Sequence, residues 1–484
     1  ILLVTDALSE NILCLTYTDA GAIAMRKRLQ EFIGSEAYKV KICTFHSFCN
    51  DVIQENLSLF EKTALDPISD LEKIELYKEL IDAFPKNHPL KRFSRDVYYD
   101  REGLQNLFST MKEEGWGANF VNEKIDEYLE NIKSNEKYIY KVNRKDQWKI
   151  GDLKPNYYKE VQKMERLRAA VAEFDNFQDL MRKNNRYDFD DMIAWVIKAF
   201  DENKSLLADY QERYQYILVD EFQDTSGAQN QVVQQLISYW DQPNVFVVGD
   251  DDQSIYRFQG ANLENMLDFA KQYENDLKTV VLTDNYRSTQ PILDVSKSVI
   301  ENNEERLIKK IEGLSKDLIA ANKKINYLKV WPEIVEYSSA YEEKMDIVLR
   351  IEELVKSGVP PGKIAVIYRQ NDYGEELAAY INLRKIPFYS KRKIDLLSDH
   401  FINKIITILN YINAELDTPY GGDGFLFEVL HYDFYKIPPI EIAKIAIEVN
   451  NLKHKKEVVS IRSILTDRAN TPAKNLFDQG MLPQ

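Results

Sequence analysis

The feature that most constrains the fold of this chain is a short apolar run that ends abruptly in two carboxylates. The run is Tyr216–Val219, and Asp220 and Glu221 follow it directly. A buried parallel strand has this pattern when its carboxyl end opens into a cleft. In a phosphoryl-transfer site, the first acid at such a strand end can hold Mg²⁺ and the second can polarise the attacking water. An ordinary strand followed by an acidic turn has the same pattern, so the neighbouring segments decide between the two interpretations.

Two further segments repeat the arrangement of an apolar run followed by polar side chains. Residues 244–249 are mostly apolar and lead into three aspartates at 250–252, and residues 279–282 precede a polar run at 285–288. Strands that alternate with helices predict a parallel sheet with ligands at the carboxyl ends of its strands. Three neighbouring like charges cost energy when they are buried together, so we expect at least one of the aspartates to be solvated.

Five segments, taken in chain order, resemble motifs Ia, Ib, II, III and IV of the UvrD/Rep-like superfamily 1 DNA helicases. They are residues 15–18 (Leu-Thr-Tyr-Thr), 43–48 (Cys-Thr-Phe-His-Ser-Phe), 216–225, 244–261 and 285–288 (Asn-Tyr-Arg-Ser). Five ordered motifs are far more specific than any one of them. The resemblance is sharp over residues 12–50 and 186–292, and it is looser to about residue 400.

This resemblance implies an α/β fold class with two RecA-like motor lobes of the P-loop NTPase type, each carrying a mainly helical insertion. The first lobe would comprise residues 1–50 and 186–290, interrupted by a helical insertion at 51–185. The second lobe would occupy residues 291–398 in part. The helical segment at 399–484 would belong to the second insertion.

Apolar spacing and turn residues predict the local elements. One helix should end at Gly34, and its apolar face consists of Ala22, Met25, Leu29, Phe32 and Ile33. Further helices are expected at residues 1–8, 71–84, 161–181 and 340–356, and beyond residue 398 with a break at 420–424. Strands are expected at 12–17, 40–43, 216–219, 244–249, 279–282, 364–368 and 386–389. Residues 133–158 are predicted to form a flexible connector.

The resemblance also implies a nucleotide site that uses ATP and Mg²⁺. Asp220 would hold the metal, and Glu221 would act as the base that aligns the attacking water. Gln253 would sense the γ-phosphate and link it to the DNA track. Arg287 would reach the γ-phosphate as an arginine finger, and Tyr286 would stack on the adenine. Ordinary acidic turns and surface salt bridges are the alternative roles for these side chains.

Contacts to single-stranded DNA are implied on the same grounds. They need aromatic faces for base stacking, and hydroxyls or cations for the phosphates. The residues at the DNA-contacting positions of the motifs are Tyr17, Thr18, Thr44, Tyr256 and Phe258. Phe258 stands where the family usually has a tryptophan. Two basic clusters, residues 391–393 and 453–456, are more typical of a solvated surface than of a phosphate track.

The sequence departs from the family most clearly in its phosphate-binding loop. No Gly-x-x-x-x-Gly-Lys-[Ser/Thr] segment occurs in the 484 residues, although tight triphosphate binding uses the backbone nest and the lysine of that loop. The late motifs of the second lobe are also not seen. We expect a chain that is incomplete at both ends, and a degenerate, inactive relative is the other interpretation. Residues 19–21 and Gln259 replace positions where the family often has cations.

Composition bounds the remaining possibilities. The hydrophobic share of 44% in 484 residues suits several domains, and no apolar run approaches the ~20 residues of a membrane span. The three cysteines are predicted to be free thiols in a cytoplasmic protein, and the five histidines lack the spacing of a zinc site. A net charge of −15 argues against nucleic acid when taken alone, but phosphate contacts depend on local charge.

The resemblance to the UvrD/Rep-like family implies an ATP-dependent 3′–5′ DNA helicase or translocase in DNA repair, recombination or replication restart. Its partner would be single-stranded DNA or a junction between single strand and duplex, with no membrane association. The alternatives are the motor subunit of a helicase–nuclease complex, a non-hydrolysing DNA-binding relative and a nucleotide-binding α/β protein unrelated to DNA.

Overall fold

The computed structural model divides the chain into two compact units, Ile1–Glu333 and Ile334–Gln484. It describes residues 1–2, 5–60, 66–93, 96–144, 147–254, 264–304, 306–310, 314–390, 397, 399–453 and 459–470. The fold is mixed α/β, as predicted. Its strands are β1 Ile12–Thr16, β2 Lys41–Thr44, β3 Asp66–Pro67, β4 Arg186–Tyr187, β5 Tyr216–Val219, β6 Val245–Val247, β7 Asp284–Asn285 and β8 Ile319–Ala320.

Helices make up most of the remaining regular structure. They are α1 Asp19–Ile33, α2 Phe45–Glu55, α3 Leu57–Phe60, α4 Asp70–Ala83, α5 Arg101–Glu113, α6 Ala118–Lys133, α7 Pro155–Ala172, α8 Phe174–Lys183, α9 Phe189–Glu202, α10 Lys204–Arg213, α11 Gly227–Ile237, α12 Glu264–Gln272, α13 Gln290–Ile300, α14 Leu307–Lys310, α15 Ala340–Lys356, α16 Asn371–Leu383, α17 His400–Asp417, α18 Asp423–Leu430, α19 Pro439–Lys453 and α20 Ile461–Asn470. In the described part of the chain, none of them is long and apolar enough to cross a membrane.

The main sheet of the first unit is parallel and has the strand order β2-β1-β5-β6. Successive side chains of a strand point to opposite faces. One face of the sheet therefore packs on α2, α9 and α11 through residues such as Leu13, Leu15, Ile217 and Val219. The other face packs on α1 through residues such as Ile12 and Ile42. Burial on both faces explains why these strands consist of almost continuous apolar runs.

Helix α1 confirms most of its prediction. The side chain of Thr18 caps its N-terminus by accepting a hydrogen bond from the Gly21 amide, and Gly34 ends it with φ +62°. A positive φ of this kind favours glycine. Ala22, Met25 and Leu29 pack against the sheet as predicted, whereas the side chain of Phe32 is 72% exposed. The predicted helix at residues 1–8 is wrong, since none of the described residues there is helical.

Helices α4 to α8 build a separate apolar core within the first unit. At its centre, the rings of Tyr77 and Phe177 stack with their centroids 4.2 Å apart. The helix predicted at residues 161–181 is divided between α7 and α8, which meet at Glu173. Residues 133–158 differ from the predicted flexible connector. They contain two antiparallel bridges, and the rings of Tyr140 and Trp148 stack at 4.3 Å.

A buried ion cluster joins α5 to the start of α9. The Nζ atom of Lys112, a residue only 6% exposed, lies 2.8 Å from Asp188 Oδ2 and 2.7 Å from Asp191 Oδ1. Lys73 also contacts Asp188, at 3.3 Å. Burial alone would raise the pKa of Asp188, but the charges of Lys112 and Lys73 outweigh it and hold that pKa below its ordinary value. The cluster therefore depends on its lysines.

We expect Lys112→Met to lower the free energy of unfolding by ~3–5 kcal/mol, because removing one partner of a buried pair leaves uncompensated charge. Urea unfolding followed by circular dichroism measures the change. The matched control is Lys124→Met, which removes an exposed lysine paired with Glu127 and should change stability little. Equal midpoints for both variants would contradict a stabilising role of the cluster.

Three predicted strands are not formed. Residues 279–282 belong to no strand, Val280 and Leu282 are 68% and 77% exposed, and β7 begins two residues later. In the second unit, residues 364–368 and 386–389 are also unpaired. The apolar alternation at 364–368 is real, because Ile364 and Val366 pack against the core of α15 and α16 while Ile367 is 96% exposed. A ladder partner is missing within the described residues.

The second unit is otherwise helical where the structure describes it. The boundaries predicted for α15 are confirmed at both ends. Helix α17 ends at Asp417 and α18 begins at Asp423, so the chain does break here, but the break lies two residues earlier than the predicted 420–424. All three cysteines of the chain are free thiols, as predicted. Burial raises the pKa of Cys14 and of Cys43 to about 11, so both stay protonated near neutral pH.

Candidate nucleotide site

The carboxyl end of β5 places Asp220 and Glu221 at one edge of the main sheet. The Asp220 amide donates to Leu15 O at 2.9 Å, which continues the pairing with β1 by one residue. The Phe222 amide donates to Val248 O at 2.9 Å. Glu221 lies between these anchors with φ 52° and ψ 43°, in the left-handed region. That conformation costs on the order of 1–3 kcal/mol for a non-glycine residue and is typical of functional sites.

The charges at this edge favour binding of a cation. Burial, followed by the charge of Glu221, raises the pKa of Asp220, and the same two causes raise the pKa of Asp224. Among the described residues, no lysine or arginine forms an ion pair with Asp220 or Glu221. A magnesium ion would offset this repulsion, and carboxylate oxygens are its preferred protein ligands.

The acids do not form a complete metal cage. Within the described part of the chain, no group of three or more histidine, cysteine, aspartate or glutamate side chains is arranged to hold a metal ion. Magnesium usually retains several waters and binds through one or two carboxylates together with substrate phosphates. Asp220 fits such an open site as a single ligand.

The carboxyl end of β6 carries the second acidic group, which is paired with two cations. Arg306, only 4% exposed, binds Asp252 through two hydrogen bonds of 2.8 and 2.7 Å. Lys316 lies 2.7 Å from Asp250 Oδ1 and also contacts Asp251 and Asp252. Burial would raise the pKa of Asp250, but hydrogen bonds from Lys316 and Gln253 hold it below its ordinary value. The cost of clustering these aspartates is therefore offset within the protein.

Hydrogen bonds join the two acidic strand ends. Gln223 Nε2 donates to Glu221 Oε2 at 2.7 Å, and its Oε1 accepts from the Asp250 amide at 3.0 Å. Gln253 Nε2 then donates to Asp250 Oδ2 at 2.7 Å. The structure thus brings Glu221 and Gln253 into one connected group, next to Asp220. Gln223 lies inside the acidic motif, but its sequence pattern predicts no role for it.

Tyr286 and Arg287 are placed by a second sheet of the first unit, the two-stranded sheet of β7 and β8. They follow β7, where Asn285 Oδ1 accepts from the amides of Arg287 at 3.0 Å and Ser288 at 2.8 Å. The side chains of both Tyr286 and Arg287 are exposed. No contact among the described residues joins either of them directly to Asp220 or Glu221. Strand β7 pairs with β8, and Lys316 lies in the segment just before β8.

The DNA-side residues of the first two motifs occupy different environments. Tyr17 lines a cavity of about 250 Å³ with Phe45, His46, Glu113, Asp190 and Asp224. Burial and the charge of Asp190 raise the pKa of Glu113 in this cavity to about 7. The hydroxyls of Thr18 and Thr44 cap α1 and α2. Thr44 is only 8% exposed, and its side chain accepts the capping hydrogen bond from the Ser47 amide. Its role in the structure is therefore to stabilise the start of α2.

Other predicted residues fall outside the described part of the chain. They are Tyr256 and Phe258, together with the basic cluster at 391–393 and most of the cluster at 453–456. Arg306 and Lys316 were not predicted. Their acidic partners lie 54 and 66 residues away in sequence, and no local pattern marks such a pairing.

Comparisons with known proteins agree with this arrangement. The family model described as UvrD/REP helicase N-terminal domain matches residues 1–274, and the model for the UvrD-like helicase C-terminal domain matches residues 280–419. These matches fit the predicted α/β fold with two RecA-like lobes.

Curated relatives carry helicase names. The chain is 29% identical over 419 residues to the "Putative ATP-dependent DNA helicase YjcD" of Bacillus subtilis, covering 84% of this chain and 46% of the relative. It is 28% identical over 411 residues to the ATP-dependent DNA helicase PcrA of Staphylococcus aureus, covering 81% and 47%. The chain thus spans about half the length of the curated relatives it matches.

Proposed function

The chain belongs to the UvrD/REP helicase family, and we propose that it forms part of a superfamily 1A motor that hydrolyses ATP and moves 3′ to 5′ along single-stranded DNA. The observation that best supports this proposal is the connected group at the ends of β5 and β6. It combines an acid pair without a cationic partner among the described residues with a glutamine on the neighbouring strand end. Phosphoryl transfer depends on such positioned charges.

The proposed nucleotide chemistry assigns one task to each residue. Asp220 would hold Mg²⁺, which when bound neutralises charge on the phosphates. Glu221 would orient the attacking water and accept its proton. Gln253 would contact the γ-phosphate from the adjacent strand end. Arg287 would stabilise charge in the transition state, and Tyr286 would stack on adenine.

The proposed DNA contacts are Tyr17, Thr18, Thr44, Tyr256 and Phe258. Base stacking suits a motor that reads no sequence, because every base has an aromatic face. Residues 1–50 and 186–290 would form the first lobe, with residues 51–185 as its helical insertion. Residues 291–398 would belong to the second lobe and 399–484 to its insertion.

The proposed setting is cytoplasmic DNA repair, recombination or replication restart, with single-stranded DNA or a junction between single strand and duplex as the substrate. Strand displacement by the full-length protein tests the direction of movement. The substrates are identical duplexes with either a 3′ or a 5′ single-stranded tail. We expect ATP-dependent release from the 3′-tailed duplex only. Release from the 5′-tailed duplex alone would contradict the proposed direction.

We expect Tyr17→Ala to weaken binding to a thymidine oligonucleotide by about 5- to 150-fold, which corresponds to the ~1–3 kcal/mol of one base stack. Fluorescence anisotropy without nucleotide, at constant salt, measures the dissociation constant. Tyr239→Ala is the matched control, because Tyr239 is 64% exposed and lies outside the motifs. Equal affinities for the two variants would remove Tyr17 from the proposed DNA track.

A further inference from the structure

We propose that Gln223 is a positioning residue that couples Glu221 to Gln253. Through this side chain, the positions of the carboxyl ends of β5 and β6 depend on each other. This inference rests on the proposed function, since it concerns how the same site is organised. Gln223 is 1% exposed and lies between the ends of β5 and β6. It would not itself touch the nucleotide.

Both polar atoms of the Gln223 side-chain amide form hydrogen bonds. Its Nε2 donates to Glu221 Oε2 at 2.7 Å and lies 3.4 Å from Asp224 Oδ2. Its Oε1 accepts from the backbone amide of Asp250 at 3.0 Å. An amide is required because one side of the group must donate and the other must accept. Glutamate would supply no donor when ionised, and methionine would supply neither function.

Gly249, two residues after β6, lies close to the Gln223 side chain. A Cβ atom added at Gly249 would lie 2.6 Å from Gln223 Oε1 and 3.2 Å from the Gln223 amide nitrogen. Contacts that short require the glutamine to move. Glycine at this position therefore permits the close approach of the two strand ends. This is a second and independent indication that the Gln223 side chain sets the distance between them.

Asp250 connects Gln223 to Gln253 through hydrogen bonds. Its backbone amide binds Gln223, its Oδ2 accepts from Gln253, and its Oδ1 accepts from Lys316 at 2.7 Å. Three hydrogen bonds thus lead from Glu221 to Gln253. Glu221 is exposed and has a left-handed backbone, so the bond from Gln223 is what fixes the direction of its carboxylate among the described contacts. Loss of Gln223 would release both groups at once.

A double-mutant cycle separates this role from that of an ordinary buried amide. Full-length wild type, Gln223→Met, Gln253→Ala and the double variant are compared in DNA-stimulated ATP hydrolysis. We expect Gln223→Met to lower kcat by ~10- to 100-fold, since a displacement of about 1 Å in such a site can have that effect, with KM for ATP nearly unchanged. The double variant should lose little more than the worse single variant, because residues that act as a unit are non-additive.

The control is Gln211→Met, which removes a buried amide that binds Gln235 O and Ser238 Oγ away from the site. It should keep the wild-type kcat. If Gln223→Met does not fold, Gln223→Glu and Gly249→Ala replace it, and both should lower kcat in the same way. Two results with an active wild type would overturn this inference and leave the proposed function standing. In the first, the Gln223 variants keep the wild-type kcat. In the second, the loss of kcat in the double variant equals the product of the two single losses. A wild type without DNA-stimulated turnover would overturn the proposed function and this inference with it.

Discussion

Glu221→Gln is expected to lower kcat for DNA-stimulated ATP hydrolysis by about 10²–10⁴-fold, the usual contribution of a positioned general base. The substitution removes the proton acceptor but keeps an oxygen that can accept the hydrogen bond from Gln223 Nε2. The local arrangement should therefore survive. Binding of ATP should persist, so that the variant holds nucleotide without turning it over.

Steady-state hydrolysis and binding of a fluorescent ATP analogue, both with full-length protein, measure the two effects separately. Glu212→Gln is the matched control, because Glu212 is an exposed glutamate of α10. It should leave both quantities unchanged. A kcat for Glu221→Gln close to that of the control would show that another group accepts the proton.

Arg287→Ala is expected to lower kcat by about 10³–10⁵-fold, the range found for arginine fingers in phosphoryl transfer. Its backbone is held by the bond from its own amide to Asn285 Oδ1 at 3.0 Å, while its side chain is exposed. An exposed arginine on a fixed turn can reach a phosphate without first breaking a buried ion pair. Arg287→Lys should restore little activity, because an ammonium lacks the planar fork of guanidinium.

The matched control is Arg182→Ala in α8, because the Arg182 side chain is 64% exposed and forms its ion pair with Asp179 on its own helix. It should retain wild-type turnover. A loss of less than about 10-fold for Arg287→Ala, or an effect confined to KM, would place Arg287 in nucleotide binding and not in transition-state stabilisation.

The elements that sequence predicts well are those whose burial leaves a local pattern. Strand β5 is buried between two neighbours, and its apolar run stops where the sheet ends at Asp220. Helix α1 has both a capping hydroxyl and a terminal glycine. Residues 279–282 and 364–368 have similar apolar runs but no ladder partner among the described residues. Whether a neighbouring strand is present is a property of the tertiary structure, which no single segment encodes.

The same distinction between local sequence pattern and tertiary contact applies to the residues of the site. Asp220 and Glu221 could be found because they are adjacent in sequence and follow a recognisable strand. The links that organise them could not, since the Asp250 amide lies 27 residues from Gln223, and Lys316 lies 66 residues from Asp250. Arg287 could be assigned only by resemblance, and its role stays a prediction.

ATP hydrolysis by the purified full-length protein, measured with and without a single-stranded oligonucleotide, shows whether the acidic group drives a DNA-dependent motor. We expect turnover that rises when DNA is added and that is lost in Glu221→Gln. DNA binding without any ATP turnover would contradict this expectation, and the acidic group at the ends of β5 and β6 would then have no catalytic role in this protein.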